Sequence, residues 1–377
     1  MIYLDYAAAT PVDEEVLNLF YKTTEKYFAN PNSSHKLGLE SKNIIDEATK
    51  SISEYLNVLP QEIIYTSGAS ESNNLAIKGV CERYKNRGKH ILISSLEHNS
   101  IISSATAMQE QGFEVELIPI DNTGIIDIKA LKNMLRDDTI LVSITSVDSE
   151  IGLKQPIEEI ANIIRNYPNC IFHTDASQAI GKVAINFGNV DLVTIAPHKF
   201  YGLNGIGILI KKSNISLKPQ IDGGKSTSIY RSGTPCLALI ASTSLALKKA
   251  IDNLETRTNY IKTLNEKIIE KLKSYKNIKI NSTNNSIPNT INISLKGVRS
   301  LDLQKKLEEQ EIYVSTKTSC CPIETPSKLV YALTKDKGLS TSSLRISLSH
   351  LTTENEITTF LEVFDSIYKE YQNNGKI

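Results

Sequence analysis

The chain has 377 residues, enough for two globular domains at roughly 150 residues each. Its 42 basic and 42 acidic side chains cancel, so the sequence lacks the charge signature of a protein that binds nucleic acid or an anionic membrane directly. A hydrophobic fraction of 40% with 22% charged residues excludes wholesale disorder.

The predicted elements alternate between strands and helices through the first two thirds of the chain. Strands are predicted at 62–66, 90–94, 115–120, 141–145, 170–175, 191–196 and 207–211. Several of these runs are almost continuously apolar, as in strands buried on both faces of a mainly parallel sheet. Amphipathic helices are predicted between them, at 43–56, 73–83 and 157–167. This pattern is typical of the α/β class.

The pattern changes after about residue 252. A smaller α+β region is predicted, with helices at 257–275 and 353–371 and strands at 290–295 and 312–315. Thr353 and Glu356 have the spacing of a capping box at the start of the last helix. We expect a large domain at 13–252 and a small domain formed by 1–12 and 253–377.

The sequence favours the cytoplasm as compartment. The first residues lack the basic and then apolar stretches of a secretory signal, and no apolar run reaches the about 18 residues of a membrane span. The cysteines are Cys81, Cys170, Cys236, Cys320 and Cys321. This odd number, without the Cys-x2-Cys spacing of a zinc or cluster site, indicates reduced thiols and no bound metal.

A phosphate site is predicted at 66–73, where a strand is followed by small hydroxyl and glycine residues that open a helix. Backbone N–H groups and the helix dipole suit a phosphate there. An N-capped turn without a ligand is about equally favoured by this segment alone.

Two further residues stand at predicted strand ends. Asp175 lies where ligands bind in parallel sheets, although a helix N-cap is the commoner role of such an aspartate. Lys199 ends the next strand, where desolvation lowers the pKa of an amine and makes it a nucleophile, although most lysines are surface charges. A phosphate cradle, an aspartate for the pyridine nitrogen and a lysine for a Schiff base are the parts that pyridoxal 5'-phosphate requires.

The chain contains a further series of motifs: LDYAAATP (4–11), SGASESNNLAIKG (67–79), EH (97–98), DDTILVSI (137–144), EIG (150–152), HTDASQAIGK (173–182), HKFYGLNGIG (198–207), RSGTP (231–235) and LRISL (344–348). In their order and spacing these motifs resemble those of the cysteine desulfurases. From residue 2 to about residue 364 the chain resembles the NifS/IscS-like branch of the fold-type I, class V aminotransferase, PLP-dependent enzymes. The resemblance implies bound PLP, a homodimer, and a large domain with a mainly parallel seven-stranded sheet flanked by helices.

The resemblance also implies roles around the cofactor ring. Lys199 would be the Schiff-base lysine and Asp175 the partner of the pyridine nitrogen. Gln178 would hydrogen-bond the phenolic oxygen. His98 would stack on the ring and transfer protons, although a lone histidine is more often structural.

Binding of the phosphate and of the substrate is implied in the same way. Ala69, Ser70 and His198 would contact the phosphate, and Thr234 would reach it from the other subunit. Arg345 would bind the substrate carboxylate through two parallel charge-assisted hydrogen bonds.

The sulfur-accepting cysteine of the family matches Cys320 best. Its thiolate would attack the sulfur of the substrate, leaving a persulfide and releasing alanine, with its pKa lowered by Lys317 or His98. A buried cysteine is usually part of a core, but two adjacent cysteines in a polar Ser/Thr/Lys loop favour the functional interpretation.

The chain departs from the family at four places. Asp148 and Ser149 stand where the family commonly has Asn-Asn, so Ser149 would reach the substrate carboxylate less well and Asp148 would add negative charge. Ala196 lacks a hydroxyl that would donate to the phosphate. The loop 317–320 is stiffer and more polar than usual. Cys321 supplies a second thiol that could relay or trap sulfur.

Three functions are compatible with these residues. The favoured one is a sulfurtransferase, a cysteine desulfurase that converts L-cysteine to L-alanine and supplies sulfur to an iron–sulfur scaffold or a tRNA-thiolating enzyme. The second is a PLP-dependent C–S or selenocysteine lyase, which the altered loop and Ser149 would favour. The third is a weakly active relative that carries sulfur or binds another protein.

Overall fold

The computed structural model describes residues 1–317, 325–375 and 377. Its strands are β1 (Ile2–Tyr3), β2 (Ile63–Thr66), β3 (His90–Ser94), β4 (Glu114–Ile118), β5 (Thr139–Ser143), β6 (Ile171–Asp175), β7 (Leu192–Ile195), β8 (Gly207–Lys211), β9 (Ile278–Ile280), β10 (Thr290–Leu295), β11 (Ile312–Tyr313) and β12 (Ser343–Ser347). Its helices are α1 (Glu14–Lys26), α2 (Lys36–Leu56), α3 (Ala69–Tyr84), α4 (Asn99–Gln109), α5 (Ile128–Met134), α6 (Ile157–Ile164), α7 (Leu237–Asp252), α8 (Leu254–Leu272), α9 (Ser300–Glu308), α10 (Lys328–Thr334), α11 (Lys337–Thr341) and α12 (Glu354–Asn373).

A seven-stranded sheet forms the centre of the molecule, in the order β2-β8-β7-β6-β5-β3-β4. The seven strands predicted from the apolar runs are its members. Strand β8 is antiparallel to both of its neighbours, and the remaining pairs are parallel. The predicted α/β class with a mainly parallel sheet flanked by helices is therefore confirmed.

Both faces of this sheet are covered except at the edge strand β4, which explains why the other strands are apolar almost throughout. In β3, Ile91 and Ile93 pack with α3 and α4. Leu92 points to the other face, where its core includes side chains of α1, α2, α6 and α7. Full burial of one such side chain contributes roughly 1.5–3 kcal/mol relative to leaving it exposed.

The C-terminal part of the chain has a core of its own. Antiparallel strands in the order β12-β10-β9 pack with α8, α9 and α12. Ile2 and Leu4 belong to this core, and β1 pairs in parallel with β11. The predicted capping box of Thr353 and Glu356 is present at the start of α12. Asn253 alone separates α7 from α8, and the domain boundary after residue 252 stays a prediction.

Within the described ranges, no helix combines the length and the apolar character needed to cross a membrane.

Candidate active site

A cavity of about 390 Å³ lies at one edge of the central sheet. Because β2 and β7 both run opposite to β8, β2 has the same direction as β3, β5, β6 and β7, and their carboxyl ends meet at this edge. The structure brings nine of the predicted site residues to the cavity: Ala69, Ser70, His98, Ser149, Asp175, Gln178, His198, Lys199 and Arg345.

Lys199 is held by the N-terminal segment. It ends a 3-10 turn, Pro197–Lys199, that follows β7 directly. Its Nζ donates to the carbonyl oxygens of Ala7 and Ala8, at 2.9 and 2.6 Å. The amine is therefore positioned at the cavity by backbone carbonyls of the N-terminal segment.

Thr10 fastens the same N-terminal segment to the turn that carries Lys199. Its Oγ1 donates to the carbonyl oxygen of His198 at 3.0 Å and accepts from the N–H of Tyr201 at 2.8 Å. Tyr201 adopts φ 69°, a left-handed conformation that costs energy in a residue with a side chain. Burial, with the charge of Lys199 adding to it, lowers the pKa of His198 to about 4, so its imidazole is neutral at pH 7.

Asp175 ends β6 with its side chain buried. Its Oδ1 accepts from the N–H of Ser177 at 2.9 Å, and its Oδ2 accepts from Nδ2 of Asn73 at 2.8 Å. The two bonds fix the plane of the carboxylate at the cavity. Asn73 lies in α3, within the motif at 67–79, and the sequence assigned it no role.

Gln178 is oriented from two sides. Its Nε2 donates to the carbonyl oxygen of Ala7 at 2.8 Å, and its Oε1 accepts from Nζ of Lys182. Because a carbonyl oxygen only accepts, the NH₂ of Gln178 must face Ala7, which leaves the amide oxygen facing Lys182. Burial, together with the positive charges of Lys199 and Arg345, lowers the pKa of Lys182 to about 7.

The start of α3 suits an anion. Gly68 is its N-cap residue and offers no side-chain cap to the first turn. A Cβ built on Gly68 would meet nothing within 4 Å, so there is room for a group to approach the backbone. The N–H groups of an uncapped first turn are a ready binding site for a phosphate.

Arg345 is buried, with 1% of its side chain exposed, and its guanidinium joins two distant segments. Nη2 donates to Oδ1 of Asp5 at 2.6 Å, and Nη1 donates to the carbonyl oxygen of Ser149 at 2.6 Å. Nε has no hydrogen-bond partner among the residues that the structure describes. Ser149 thus contacts the arginine through its backbone, a contact that does not depend on the length of its side chain.

The carboxylate of Asp148 is directed at its own turn. It accepts from the N–H groups of Glu150, Ile151 and Leu153 at 2.8, 2.8 and 2.6 Å. Burial raises its pKa to about 6 despite these bonds. The side chain is a structural acceptor for residues 148–153, which accounts for an aspartate at this position.

Thr234 does not line the cavity. It lines a separate cleft of about 160 Å³, which shares Ser67 with the main cavity. Arg231, in the same RSGTP motif, donates to Oε1 of Glu71 at 2.9 Å and ties this loop to α3. The contribution of Thr234 to a second subunit stays a prediction.

The two candidate sulfur-carrying thiols, Cys320 and Cys321, lie outside the described residues. The flanking Lys317 is buried, and its Nζ donates to Oγ1 of Thr325 at 2.8 Å. Lys317 therefore joins the two described ends that border residues 318–324. Ala196, another predicted departure, lines the cavity.

The model of the family called Aminotransferase class-V matches residues 2–360. The chain belongs to this family. A NifS/IcsS protein homolog of Lactobacillus delbrueckii subsp. bulgaricus is 36% identical over 98% of both chains. The mitochondrial cysteine desulfurase of Saccharomyces cerevisiae is 37% identical over 94% of this chain and 72% of its own.

Solved structures give the same result for this class-V member. A NifS-like protein superposes with a TM-score of 0.92 at 30% identity, over 98% of this chain and 99% of the other. A structure described as SspA in complex with cysteine has a TM-score of 0.82 at 30% identity, over 94% and 100%. The predicted family resemblance is confirmed.

Class-V enzymes and cysteine desulfurases use PLP, and the cavity of this class-V member fits that cofactor. A fixed carboxylate at a strand end suits the pyridine nitrogen, and the Lys199 amine suits the aldehyde. The uncapped α3 with open space at Gly68 suits the phosphate.

Several residues that organise this class-V site were not identified from the sequence. They are Asp5, Ala7, Ala8, Thr10, Asn73, Ser100 and Lys182. Most lie in or beside the motifs at 4–11, 67–79 and 173–182, so the signal was present. Most of their partners are distant in sequence or are backbone atoms, and no spacing rule identifies such contacts.

Proposed function

We propose that this chain is a PLP-dependent cysteine desulfurase that converts L-cysteine to L-alanine and takes up the sulfur on Cys320 as a persulfide. The observation that carries the proposal is the convergence of Lys199, Asp175 and Arg345 on one cavity from three separate elements. Homologues named cysteine desulfurase, similar over nearly the whole chain, support the choice among PLP reactions.

Asp175 and Arg345 each have a physical task in this proposal. When bound, PLP supplies the electron sink that weakens the bond between Cβ and sulfur of the substrate. Asp175, fixed by Asn73 and Ser177, keeps a proton on the ring nitrogen. Arg345 holds the substrate carboxylate, since its buried guanidinium is placed by Asp5 and by the backbone of Ser149.

The sulfur transfer balances without an external oxidant. The thiolate of Cys320 forms a bond to the substrate sulfur as the bond from that sulfur to Cβ breaks. The electron pair of the broken bond remains on Cβ, which takes up a proton, so that the products are alanine and a persulfide. His98 lines the cavity, and in this proposal it supplies that proton.

The partners belong to the same proposal. We infer a homodimer in which Thr234 completes the phosphate site of the other subunit, together with Ala69, Ser70 and His198. The persulfide would pass to an iron–sulfur scaffold or a tRNA-thiolating enzyme in the cytoplasm, with Cys321 as a second thiol that relays the sulfur.

The decisive experiment is the product balance of the purified, PLP-loaded protein with L-cysteine and a thiol reductant. Alanine matched by sulfide is expected. Cys320→Ser should stop alanine formation and leave the visible absorption of the cofactor intact, and Cys321→Ser is the matched control.

Other products would replace the proposal with a defined alternative. Pyruvate, ammonia and sulfide as main products would indicate a β-elimination lyase. Alanine formed far faster from selenocysteine than from cysteine would indicate a selenocysteine lyase. Turnover far below about 1 per second with the cofactor bound would indicate a sulfur-carrying relative.

A further inference from the structure

A chain of side-chain hydrogen bonds connects Asp175 with His98 through two residues that have no assigned role. Asn73 donates from Nδ2 to Oδ2 of Asp175 and to Oγ of Ser100, both at 2.8 Å. Oγ of Ser100 lies 2.9 Å from Nδ1 of His98. The chain runs from α3 to the first turn of α4, beside the cavity.

The carboxylate of Asp175 fixes the orientation of the Asn73 amide. A carboxylate only accepts, so the NH₂ of Asn73 must face Asp175, and its second hydrogen then points to Ser100. The amide oxygen of Asn73 is fully buried, and it lacks a hydrogen-bond partner anywhere in the described chain. Leaving a buried oxygen unpaired costs stability, and a functional site is where such a cost is tolerated.

Ser100 extends the chain of hydrogen bonds to His98. Its Oγ accepts from Asn73, so its single hydrogen is available for Nδ1 of His98. The backbone N–H of Ser100 is aimed at the same nitrogen, at 3.2 Å, because His98 is the N-cap residue of α4. Two donors converge on Nδ1, which must therefore carry a lone pair and no hydrogen.

The environment keeps the imidazole neutral. Burial lowers the pKa of His98, the charge of Lys199 lowers it further, and the charge of Asp175 opposes both. A neutral imidazole has one N–H, and with Nδ1 occupied by donors that hydrogen is on Nε2.

We propose that Asn73 and Ser100 are positioning residues that hold His98 in the tautomer with its hydrogen on Nε2, so that the resting ring offers a proton to a substrate in the cavity. The role of His98 as a proton donor in this inference rests on the proposed function. This tautomer makes His98 an acid in its resting state, able to accept a proton only after it has given one away.

The tautomer is measurable by nitrogen NMR of the holoenzyme labelled with 15N-histidine. The chain has six histidines, and His98→Gln identifies the signals of His98 by their loss. At pH 7.5 we expect Nδ1 to show the shift of an unprotonated nitrogen and Nε2 that of an N–H.

Variants of the two positioning residues test the cause. Ser100→Ala removes one donor to Nδ1 and should raise the protonation constant of His98 about 2- to 12-fold, the value of one neutral hydrogen bond. Ser100→Thr retains the hydroxyl and should restore the wild-type titration. Asn73→Ala lets the hydroxyl hydrogen of Ser100 rotate away, so a smaller change in the same direction is expected.

Ser104→Ala is the matched control, since this buried serine lies in the same helix and, among the residues that the structure describes, its hydroxyl bonds only the carbonyl oxygen of Ser100. A hydrogen on Nδ1 or a doubly protonated ring in the wild type would overturn the inference. So would a folded Ser100→Ala protein whose His98 titrates as in the wild type. Because the readout needs no turnover, a protein that shows this tautomer but forms no alanine supports the assignment and refutes the desulfurase function.

Discussion

The guanidinium of Arg345 and the carboxylate of Asp5 form a buried ion pair, with 2.6 Å between Nη2 and Oδ1, although 340 residues separate them in the sequence. The same arginine donates to the backbone of Ser149. The proposed carboxylate-binding group is therefore fixed in place before a substrate arrives.

Replacement of Arg345 by lysine should impair substrate binding more than folding. A single ammonium group cannot replace the planar guanidinium, which donates to Asp5 and Ser149 and would also donate to the substrate carboxylate. We expect KM for L-cysteine to rise about 10- to 150-fold, the value of one charge-assisted hydrogen bond. Steady-state kinetics check this, with the exposed Arg299→Lys as control. An unchanged KM would show that another group binds the carboxylate.

Asp5→Asn should destabilise the fold instead. Breaking a buried ion pair costs about 3–5 kcal/mol, and because Asp5 is 19% exposed we expect a loss of about 2–4 kcal/mol in the free energy of unfolding. Urea denaturation measures the change. A variant as stable as the wild type would mean that Arg345 is neutralised by other groups.

Glu97, next to His98, should make stability depend on pH in an unusual direction. Burial raises its pKa to about 8 from an ordinary value near 4.5. Between these values the folded state holds a proton that the unfolded state has released, so the stability that this group contributes is lost as pH rises from about 4.5 to 8.

Glu97→Gln should remove that dependence. Relative to the wild type, the free energy of unfolding of the variant should increase by about 1.4 kcal/mol for each pH unit in this window. Urea denaturation of both proteins at pH 5, 6.5 and 8 measures this difference. Glu62→Gln is the matched control, since the buried Glu62 has a lowered pKa and titrates below this window. A constant difference for Glu97→Gln would contradict the prediction.

Thr10→Val should loosen the turn that carries Lys199. The substitution keeps the shape but removes the acceptor for the Tyr201 N–H and the donor to His198. A buried donor left unpaired costs about 1–3 kcal/mol, which thermal denaturation and the PLP content after dialysis would both register. Thr24→Val, on the exposed face of α1, is the control. Equal stability of the two variants would show that the two hydrogen bonds of Thr10 do not stabilise this turn.

Lys199→Ala should abolish stable cofactor retention, since the amine that joins the aldehyde of PLP is removed. The visible absorption of the protein after dialysis measures this directly. Lys129→Ala, at an exposed position of α5, should retain the cofactor fully. A coloured Lys199→Ala protein would mean that another amine, such as Lys182, binds PLP.

The class of fold and the main chemical groups of the site could be predicted from residue type and spacing alone. Runs such as 90–94 and 207–211 are mostly apolar because their strands are buried on both faces. Burial on both faces can therefore be predicted from the residue types of the run. Asp175 and Lys199 were identifiable because strand ends are readable from the same runs, and parallel strands bring their carboxyl ends to one edge.

The contacts that hold these groups in place could not be predicted in this way, because they form between segments that meet only in the folded chain. The carbonyls of Ala7 and Ala8 at Lys199, the Asp5–Arg345 pair and the link from Asn73 to Ser100 join segments far apart in the chain. Hydrogen bonds depend on distances and directions between atoms, which local propensity and hydrophobic period do not encode. Asp148 shows the same limit, because its charge could be expected near a ligand until the fold directed it to three backbone N–H groups.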